Sequence, residues 1–449
     1  MHKVSKLKNG INLIKVPLKG SKAITVMAMF PVGSRYEDKK LSGASHFVEH
    51  MMFKGTAKRP THLEISRELD SLGAEYNAFT SKDYTGYYVK TGEINTEKAF
   101  DWLADIIFNS KMDAAEITKE KGVIVEELRM YEDNPLMAVD TLFEKAMFGN
   151  HPLGWDVGGT PETVNGLSRA DLWNYYQNYY LPSNMVLIVA GNINKKKLAK
   201  SMRHFNSPHA NPPLALRPTP PKRGVDTGNS PLGRGRGGLA ANFTKFVWPK
   251  TVLPLADRVV VSEKKLDQAQ VILGFPGLHY NDPDRFTASV LLNILGGGMS
   301  SRLFVEVREK RGLAYMVNAG AGAFRDVGVV SIQAGLDPSR LADALKVIKD
   351  ELIKIKKEPV SAKELLDSKN NIAGRTELAM EDSSAQAQWF AKQFWFADKM
   401  QTYEQVTNKI RQVTAAEVKK LANKLFDLNQ MRVAVIGPMS KDKVLELLK

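Results

Sequence analysis

The sequence contains no cysteine and no long uninterrupted run of apolar residues. Without cysteine, the chain can form neither disulfides nor thiolate-ligated metal sites, so any bound metal must be held by histidine and carboxylate side chains. The longest apolar stretches, such as residues 23–32, are too short to span a membrane. No secretory leader is evident at the start of the chain. We therefore expect a soluble, cytoplasmic protein without a membrane partner.

Acidic residues are too few to balance the basic ones, which gives a formal net charge of +14. Basic proteins often bind nucleic acid, but here the lysines and arginines are scattered, as at residues 195–197 and 354–357, without a reader motif or an aromatic platform. We interpret the excess charge as a solvated surface and do not expect a nucleic-acid partner. An attraction for acidic peptides or RNA stays open.

The length and composition indicate an ordinary globular protein with more than one domain. Hydrophobic residues make up 43% of the chain and charged residues 25%, which is typical of folded proteins. A chain of 449 residues exceeds what a single hydrophobic core usually supports. We therefore expect two or more domains.

The most informative stretch runs from Ser42 to Gly55. Read as a helix with Ser42 as its N-cap, it places His46, Glu49 and His50 on one face. The helix is otherwise largely apolar, so three ionisable groups on one stripe would be costly without a partner. Two imidazoles one turn apart can both reach one Zn²⁺, and the carboxylate beside them can take a proton from water at the metal. We interpret this pattern as an inverted zinc-hydrolase motif.

A catalytic Zn²⁺ usually has three protein ligands, so the two histidines leave one ligand to be found. A capping box at Asp113-x-x-Glu116 predicts a helix that runs to about Glu132. This helix carries several carboxylates, of which Glu120 and Glu127 are two turns apart and share a face. Spacing alone does not choose among them.

The second half of the chain repeats features of the first. The capping box that begins at Ser168 recurs at Thr414, and the pattern of residues 184–191 recurs at residues 430–437, in each case 246 residues later. A similar alignment near the start of each half matches the histidine-bearing helix to residues 290–294, which contain no metal ligand. We therefore predict an α+β fold of two duplicated domains, each a mostly antiparallel β-sheet packed with α-helices. Only the first should hold metal.

Residues 208–254 are rich in proline and glycine and too polar and broken to form a domain. We predict an N-terminal metal-binding domain over residues 1–207, a linker over residues 208–254, and a C-terminal homologous domain without the metal motif over residues 255–449. The Arg-Gly segment at residues 233–238 is a weak candidate for an RNA contact.

These motifs together resemble the pitrilysin family of zinc metallopeptidases, in the subgroup of the mitochondrial processing peptidase and its bacterial relatives. The resemblance covers nearly the whole chain. It includes the inverted motif in the first half, the glycine-rich stretch at residues 296–304 with residues 308–315 in the second half, and the two-domain layout. It implies a zinc-dependent endopeptidase with one Zn²⁺ per chain, although the sequence does not distinguish zinc from another divalent ion.

The resemblance also implies roles for particular carboxylates. The family's third metal ligand is a glutamate in a Val-Ile-x-x-Glu context, which corresponds here to Glu127, with 76 residues intervening after His50. Glu126 is the neighbour that could be confused with it. Glu120 resembles a carboxylate that supports the metal ligands from outside the first coordination shell. Glu49 is the implied general base.

Substrate contacts follow from the same resemblance. The family binds peptides as an added strand on an exposed sheet edge, and Asn77, Ala78 and Phe79 resemble that edge. Arg308 and Tyr315 resemble an Arg/Tyr pair that contacts the substrate near the scissile carbonyl, where both are suitable donors to a developing oxyanion. In half-length relatives two subunits close into a chamber, and the Arg/Tyr pair of one serves the zinc of the other. The resemblance therefore implies a homodimer that acts on peptide substrates.

Two alternatives stay open. The family contains members that only scaffold, so a non-catalytic structural subunit of the same fold is one alternative. A basic RNA-associated protein that uses residues 233–238 is the other. The sequence does not indicate which peptides are cleaved, because strand addition tolerates many sequences.

Overall fold

The computed structural model describes residues 2–206 and 243–448. The predicted RNA contact at residues 233–238 and most of the predicted linker at residues 208–254 lie outside the described residues. The chain forms two compact units of three segments each. The first unit comprises Met1–Leu128, Asp156–Thr244 and Ala379–Met400, and the second comprises Arg129–Trp155, Lys245–Leu378 and Gln401–Lys449. The domain boundaries given above stay predictions.

The described residues alternate between strands and helices in both units. In chain order the strands are β1 Lys3–Lys6, β2 Asn12–Pro17, β3 Ala23–Phe30, β4 Glu75–Thr80, β5 Thr85–Gly92, β6 Val186–Gly191, β7 Val259–Glu263, β8 Ala269–Gly277, β9 Ala314–Ala323, β10 Gly328–Leu336 and β11 Arg432–Gly437. The α-helices are α1 Ala44–Met51, α2 His62–Asp70, α3 Thr96–Asn109, α4 Ala114–Asp133, α5 Pro135–Phe148, α6 Pro161–Gly166, α7 Arg169–Tyr179, α8 Lys195–Ser201, α9 Arg203–Asn206, α10 Arg285–Gly296, α11 Leu341–Lys357, α12 Ala362–Met380, α13 Ser383–Phe396, α14 Tyr403–Gln412, α15 Ala415–Leu425 and α16 Lys441–Leu448.

The two sheets have the same strand order, apart from one extra edge strand in the first. The first sheet runs β1-β2-β6-β3-β5-β4 and the second runs β7-β11-β8-β10-β9. In each sheet a single pair is parallel, β2 with β6 and β7 with β11, and the other pairs are antiparallel. The predicted α+β fold with two duplicated, mostly antiparallel sheets is therefore confirmed.

The repeated capping boxes are present in both copies. Ser168 accepts a hydrogen bond from the backbone of Asp171 at the start of α7, and Thr414 does the same with Glu417 at the start of α15. In each case the acidic side chain bonds back to the N-cap residue, so two free donors of the helix end are satisfied. The same local chemistry thus begins equivalent helices in both units.

Helices cover both faces of the first sheet. One face packs in a hydrophobic core with residues of α1, α3 and α7. On the other face, α13 contributes Phe390 and Phe394, which pack against strands β2, β3 and β6. Strand β3 is accordingly buried along almost its whole length. Because α13 comes from the segment Ala379–Met400, the first unit uses residues from both halves of the chain.

The second sheet is covered in a similar way by its own helices. Helices α10, α11 and α15 pack on one face, and α5 packs on the other. The residues predicted to correspond to the histidine-bearing helix, 290–294, lie within α10 and supply apolar side chains to this core.

No helix in the described part of the chain combines the length and apolarity needed to cross a membrane. The predicted cytoplasmic location stays a prediction.

Candidate metal centre

Helix α1 begins differently from the sequence-based prediction. Its N-cap position is Gly43 rather than Ser42, and the φ of +96° at Gly43 lies in the left-handed region. A Cβ there would lie 2.5 Å from the carbonyl oxygen of Gly158, so glycine is required. The Glu37 carboxylate accepts hydrogen bonds from the backbone of Gly43 and from the backbone and hydroxyl of Ser45. The side chain of Glu37, six residues before Gly43, therefore caps α1 by accepting these hydrogen bonds.

The two faces of α1 have different surroundings. Phe47, Val48 and Met51 are fully buried in the core of the first unit. The side chains of His46 and His50 are 16% and 20% exposed to solvent. Packing of the apolar face thus fixes the helix, and the imidazoles, one turn apart, lie on a face that solvent can reach.

The structure brings the imidazoles of His46 and His50 to one point with the carboxylate of Glu127. The Nε2 atoms of His46 and His50 are 3.2 Å apart. Oε2 of Glu127 lies 3.8 Å from Nε2 of His46 and 3.4 Å from Nε2 of His50. Atoms that ligate a tetrahedral Zn²⁺ at 2.0–2.2 Å lie roughly 3.3–3.6 Å from one another. The donor set and its spacing therefore fit a zinc ion. Within residues 2–206 and 243–448 no second cluster of this kind occurs.

Helix α4 supplies the carboxylates of the centre. Glu127 faces the imidazoles, whereas the neighbouring Glu126 is exposed and is not part of the cluster. Glu120, two turns earlier, is buried, and its Oε1 lies 2.7 Å from Nδ1 of His50. Its Oε2 lies 2.6 Å from Nζ of Lys54. A proton on Nδ1 leaves the lone pair of Nε2 directed toward the cluster, as a metal ligand requires.

The two imidazoles have opposite pKa shifts. Burial, with the nearby His50, lowers the pKa of His46 to about 4. Burial acts on the pKa of His50 in the same direction, but hydrogen bonds with Glu120 and Glu127 outweigh it and raise this pKa to about 9. Two carboxylates and two imidazoles that converge in this way favour a positive charge at their centre, which a divalent cation supplies.

Glu49 lies beside the cluster on the same helix. Burial raises the pKa of its carboxyl group, against the effects of a hydrogen bond from Thr80 and of the charge on His50. The Thr80 hydroxyl donates to Oε2 of Glu49, which links α1 to the end of β4. A partly buried carboxylate with a raised pKa, held by a hydrogen bond from Thr80, is suited to accept and release a proton.

The residues predicted to bind substrate lie on β4, at the edge of the first sheet. Among the described strands, β4 pairs only with β5. Asn77 is exposed, Ala78 and Phe79 are partly buried, and the Phe79 ring lies against Gly86, where a side chain would collide with it. An edge strand with a free side can pair with an extended peptide.

Arg308 and Tyr315 belong to the second unit, where they lie next to each other. The Arg308 guanidinium carbon is 5.5 Å from the Tyr315 ring centroid and 4.8 Å from that of Phe304. Tyr315 is 74% exposed. Arg308 lies in a π-helical segment, Phe304–Glu309, a conformation that is often found at functional sites. The stacking keeps the guanidinium and the phenol together on an accessible surface.

Sequence reasoning did not find the partners of Glu49 and Glu120. Thr80 directly follows the predicted edge residues Asn77, Ala78 and Phe79, but no local pattern indicates its contact with Glu49. Lys54 lies four residues after His50, and no local pattern marks it as a functional residue, because a lysine just beyond a helix is ordinarily solvated. Glu37 lies before the motif in a turn, where no local pattern marks it as a cap.

Comparisons with known proteins agree with this geometry. The protein-family model described as "Insulinase (Peptidase family M16)" matches residues 18–160, which contain the whole candidate metal centre. A second model, "Peptidase M16 inactive domain", matches residues 166–372. The part of the chain without the metal motif thus matches a domain that is described as inactive.

Full-length relatives and a solved structure support the same assignment. The chain is 34% identical over 438 residues to a Streptomyces coelicolor protein named an uncharacterized zinc protease, with 97% of this chain and 89% of that protein covered. A Bacillus subtilis protein with the same description is 33% identical over 430 residues, with 96% and 97% covered. A Helicobacter pylori protease structure matches with a TM-score of 0.82 and 26% identity, over 98% and 99% of the two chains. The chain therefore belongs to peptidase family M16, the pitrilysin family that its motifs resemble.

Proposed function

We propose that this protein is a zinc-dependent endopeptidase that hydrolyses peptides or extended polypeptide segments. The convergence of His46, His50 and Glu127 within 3.8 Å of one another, next to the partly buried Glu49, carries the proposal. The names of the full-length relatives, zinc proteases, support it. Every residue that the inverted motif requires is present, which supports a hydrolytic role.

The residues divide into ligands and a base. His46, His50 and Glu127 would hold the zinc ion, which when bound polarises the scissile carbonyl and makes water more acidic. Glu49 accepts a proton from the water that attacks the carbonyl carbon. It then delivers this proton to the amine as the C–N bond breaks, so that it ends the cycle ionised. Thr80 holds one oxygen of Glu49 and leaves the other oxygen to move the proton.

The substrate class follows from the edge of the first sheet. We propose that a peptide pairs with β4 along Asn77, Ala78 and Phe79, next to Thr80 and hence to Glu49. Backbone pairing makes few demands on side chains, so the enzyme should accept many extended sequences.

Arg308 and Tyr315 are proposed to donate to the developing oxyanion of the substrate. Their exposure and mutual stacking support a role in contacting a ligand. By the resemblance to half-length family members, we propose a homodimer in which each copy supplies this pair to the zinc of the other.

A charge-neutral change of the base tests the proposal. In the full-length protein, Glu49→Gln should retain one zinc per chain and lose at least roughly 100-fold in kcat on a quenched fluorescent peptide library, because general-base catalysis typically contributes 10² to 10⁴. Glu126→Gln, on the same helix as the ligand Glu127 but exposed, is the matched control and should behave as wild type.

Two results would contradict the proposal in different ways. Full activity of Glu49→Gln would show that another group is the base. A wild-type protein that binds zinc but cleaves nothing in a mixed peptide library would instead favour the non-catalytic structural subunit.

A further inference from the structure

Lys54 lies just beyond the end of α1, and its side chain points back toward the candidate metal centre. Its Nζ lies 2.6 Å from Oε2 of Glu120. The Glu120 side chain is only 4% exposed and that of Lys54 is 20% exposed, so this ion pair is largely shielded from water. A backbone hydrogen bond from Lys54 to Met51 continues the turn after α1 and fixes the position of the lysine.

The two oxygens of Glu120 have different partners. Oε1 lies 2.7 Å from Nδ1 of His50, and Oε2 lies next to Nζ of Lys54. A buried carboxylate is costly unless both oxygens are satisfied, and a carboxylate held at only one oxygen can rotate about its side chain. The lysine and the imidazole thus hold the Glu120 carboxylate from its two oxygens.

We propose that Lys54 is a positioning residue for the metal centre. It holds Glu120 in the orientation that accepts the Nδ1 proton of His50, and so keeps Nε2 of His50 directed at the metal. This inference rests on the proposed zinc centre but concerns metal affinity, not the chemistry of cleavage. Removal of a group that orients a ligand from outside the coordination shell typically weakens metal binding 10- to 100-fold, and Lys54 acts through one more contact.

The test is zinc affinity of the full-length protein, measured by competition with a chromogenic chelator and zinc as the sole metal. Lys54→Met should bind zinc roughly tenfold more weakly than wild type, and Lys54→Arg should restore most of the affinity. Lys58→Met is the matched control. Lys58 is in the same segment and also pairs with a carboxylate, that of Asp101, but its side chain is 56% exposed and contacts neither Glu120 nor His50 in the described structure. The zinc affinity of Lys58→Met should equal that of wild type.

A double variant separates positioning from a general loss of stability. If Lys54 acts through Glu120, Lys54→Met should have no further effect on zinc affinity in a Glu120→Gln background, because coupled residues are not additive. Additive effects would indicate that the lysine acts by another route and would overturn the inference. Should Lys54→Met fail to fold, Lys54→Gln permits the same measurement with a shorter polar side chain.

The outcomes distinguish the inference from the proposed function. Wild-type affinity in Lys54→Met, or an equal loss in Lys58→Met, overturns the role of Lys54 and leaves the zinc centre intact. A wild-type protein that takes up no stoichiometric zinc overturns the centre itself, and the inference with it.

Discussion

The hydrogen bond from Thr80 to Glu49 makes a sharp prediction for catalysis. Thr80→Val keeps the shape of the side chain and removes the hydroxyl that donates to Oε2 of Glu49. Hydrogen bonds to charged groups are worth about 1.5–3 kcal/mol, and each 1.36 kcal/mol of barrier is a factor of ten in rate. If the bond serves wholly to orient the base, kcat should fall by roughly 10- to 150-fold. We expect the lower end, because packing of α1 still holds the backbone of Glu49.

Steady-state kinetics on a quenched fluorescent peptide, at equal zinc content, measures this effect. Thr80→Val should lower kcat with little change in KM, since the backbone of β4 remains available for pairing, and Thr80→Ser should recover most of the rate. Thr85→Val is the matched control, because Thr85 lies opposite Thr80 in the β4/β5 register and donates to the backbone carbonyl of Val32. It should lower stability but not kcat. An unchanged kcat in Thr80→Val, or a serine variant as slow as the valine variant, refutes the reasoning.

The buried Glu37 should make stability depend on pH. Burial raises the pKa of the Glu37 carboxyl group from 4.5 to about 7, although hydrogen bonds from Ser45 and Gly43 oppose the rise. The folded state therefore binds this proton more tightly than the unfolded state does. The resulting stability is fully present below about pH 4.5 and is lost as the pH rises through 7. At 1.36 kcal/mol per pKa unit this corresponds to roughly 3 kcal/mol. Urea unfolding of the metal-free protein should show this decrease in stability between pH 4.5 and 7 for wild type and not for Glu37→Gln. An equal decrease in both proteins would contradict the prediction. For the proposed homodimer, Glu49→Gln and Tyr315→Phe should each be nearly inactive alone and partly regain activity when mixed and allowed to exchange subunits, whereas inactive mixtures would contradict a shared site.

The duplicated fold was predictable because its markers are local. A capping box is a four-residue pattern, and the strand pattern that follows it needs only the residues of one strand, so both repeats could be read from neighbouring residues. The inverted motif is local as well, since His46, Glu49 and His50 lie within five residues. In each case the sequence neighbours are also the structural neighbours.

The parts that escaped prediction depend on contacts between distant segments. Ser42 is a good N-cap by residue type, but the close approach of Gly158 requires a glycine at position 43 and moves the cap. Glu127 was assigned by the family resemblance; spacing alone could not choose it over Glu126, because the choice depends on how α4 is rotated against α1. The continuous burial of β3 is foreshadowed by its apolar sequence, yet nothing in that strand reveals that α13 covers it.

The position of α13 has a consequence for how the protein is made. Phe390 and Phe394 of α13 cover one face of the first sheet, whose last strand in chain order ends at Gly191. Hydrogen bonds between Ser383 and Thr25 and from Lys90 to Asp382 also connect this segment to the sheet. A ribosome must therefore translate nearly the whole chain before the first unit can close. Until then, the apolar face of the first sheet that α13 covers remains open to solvent.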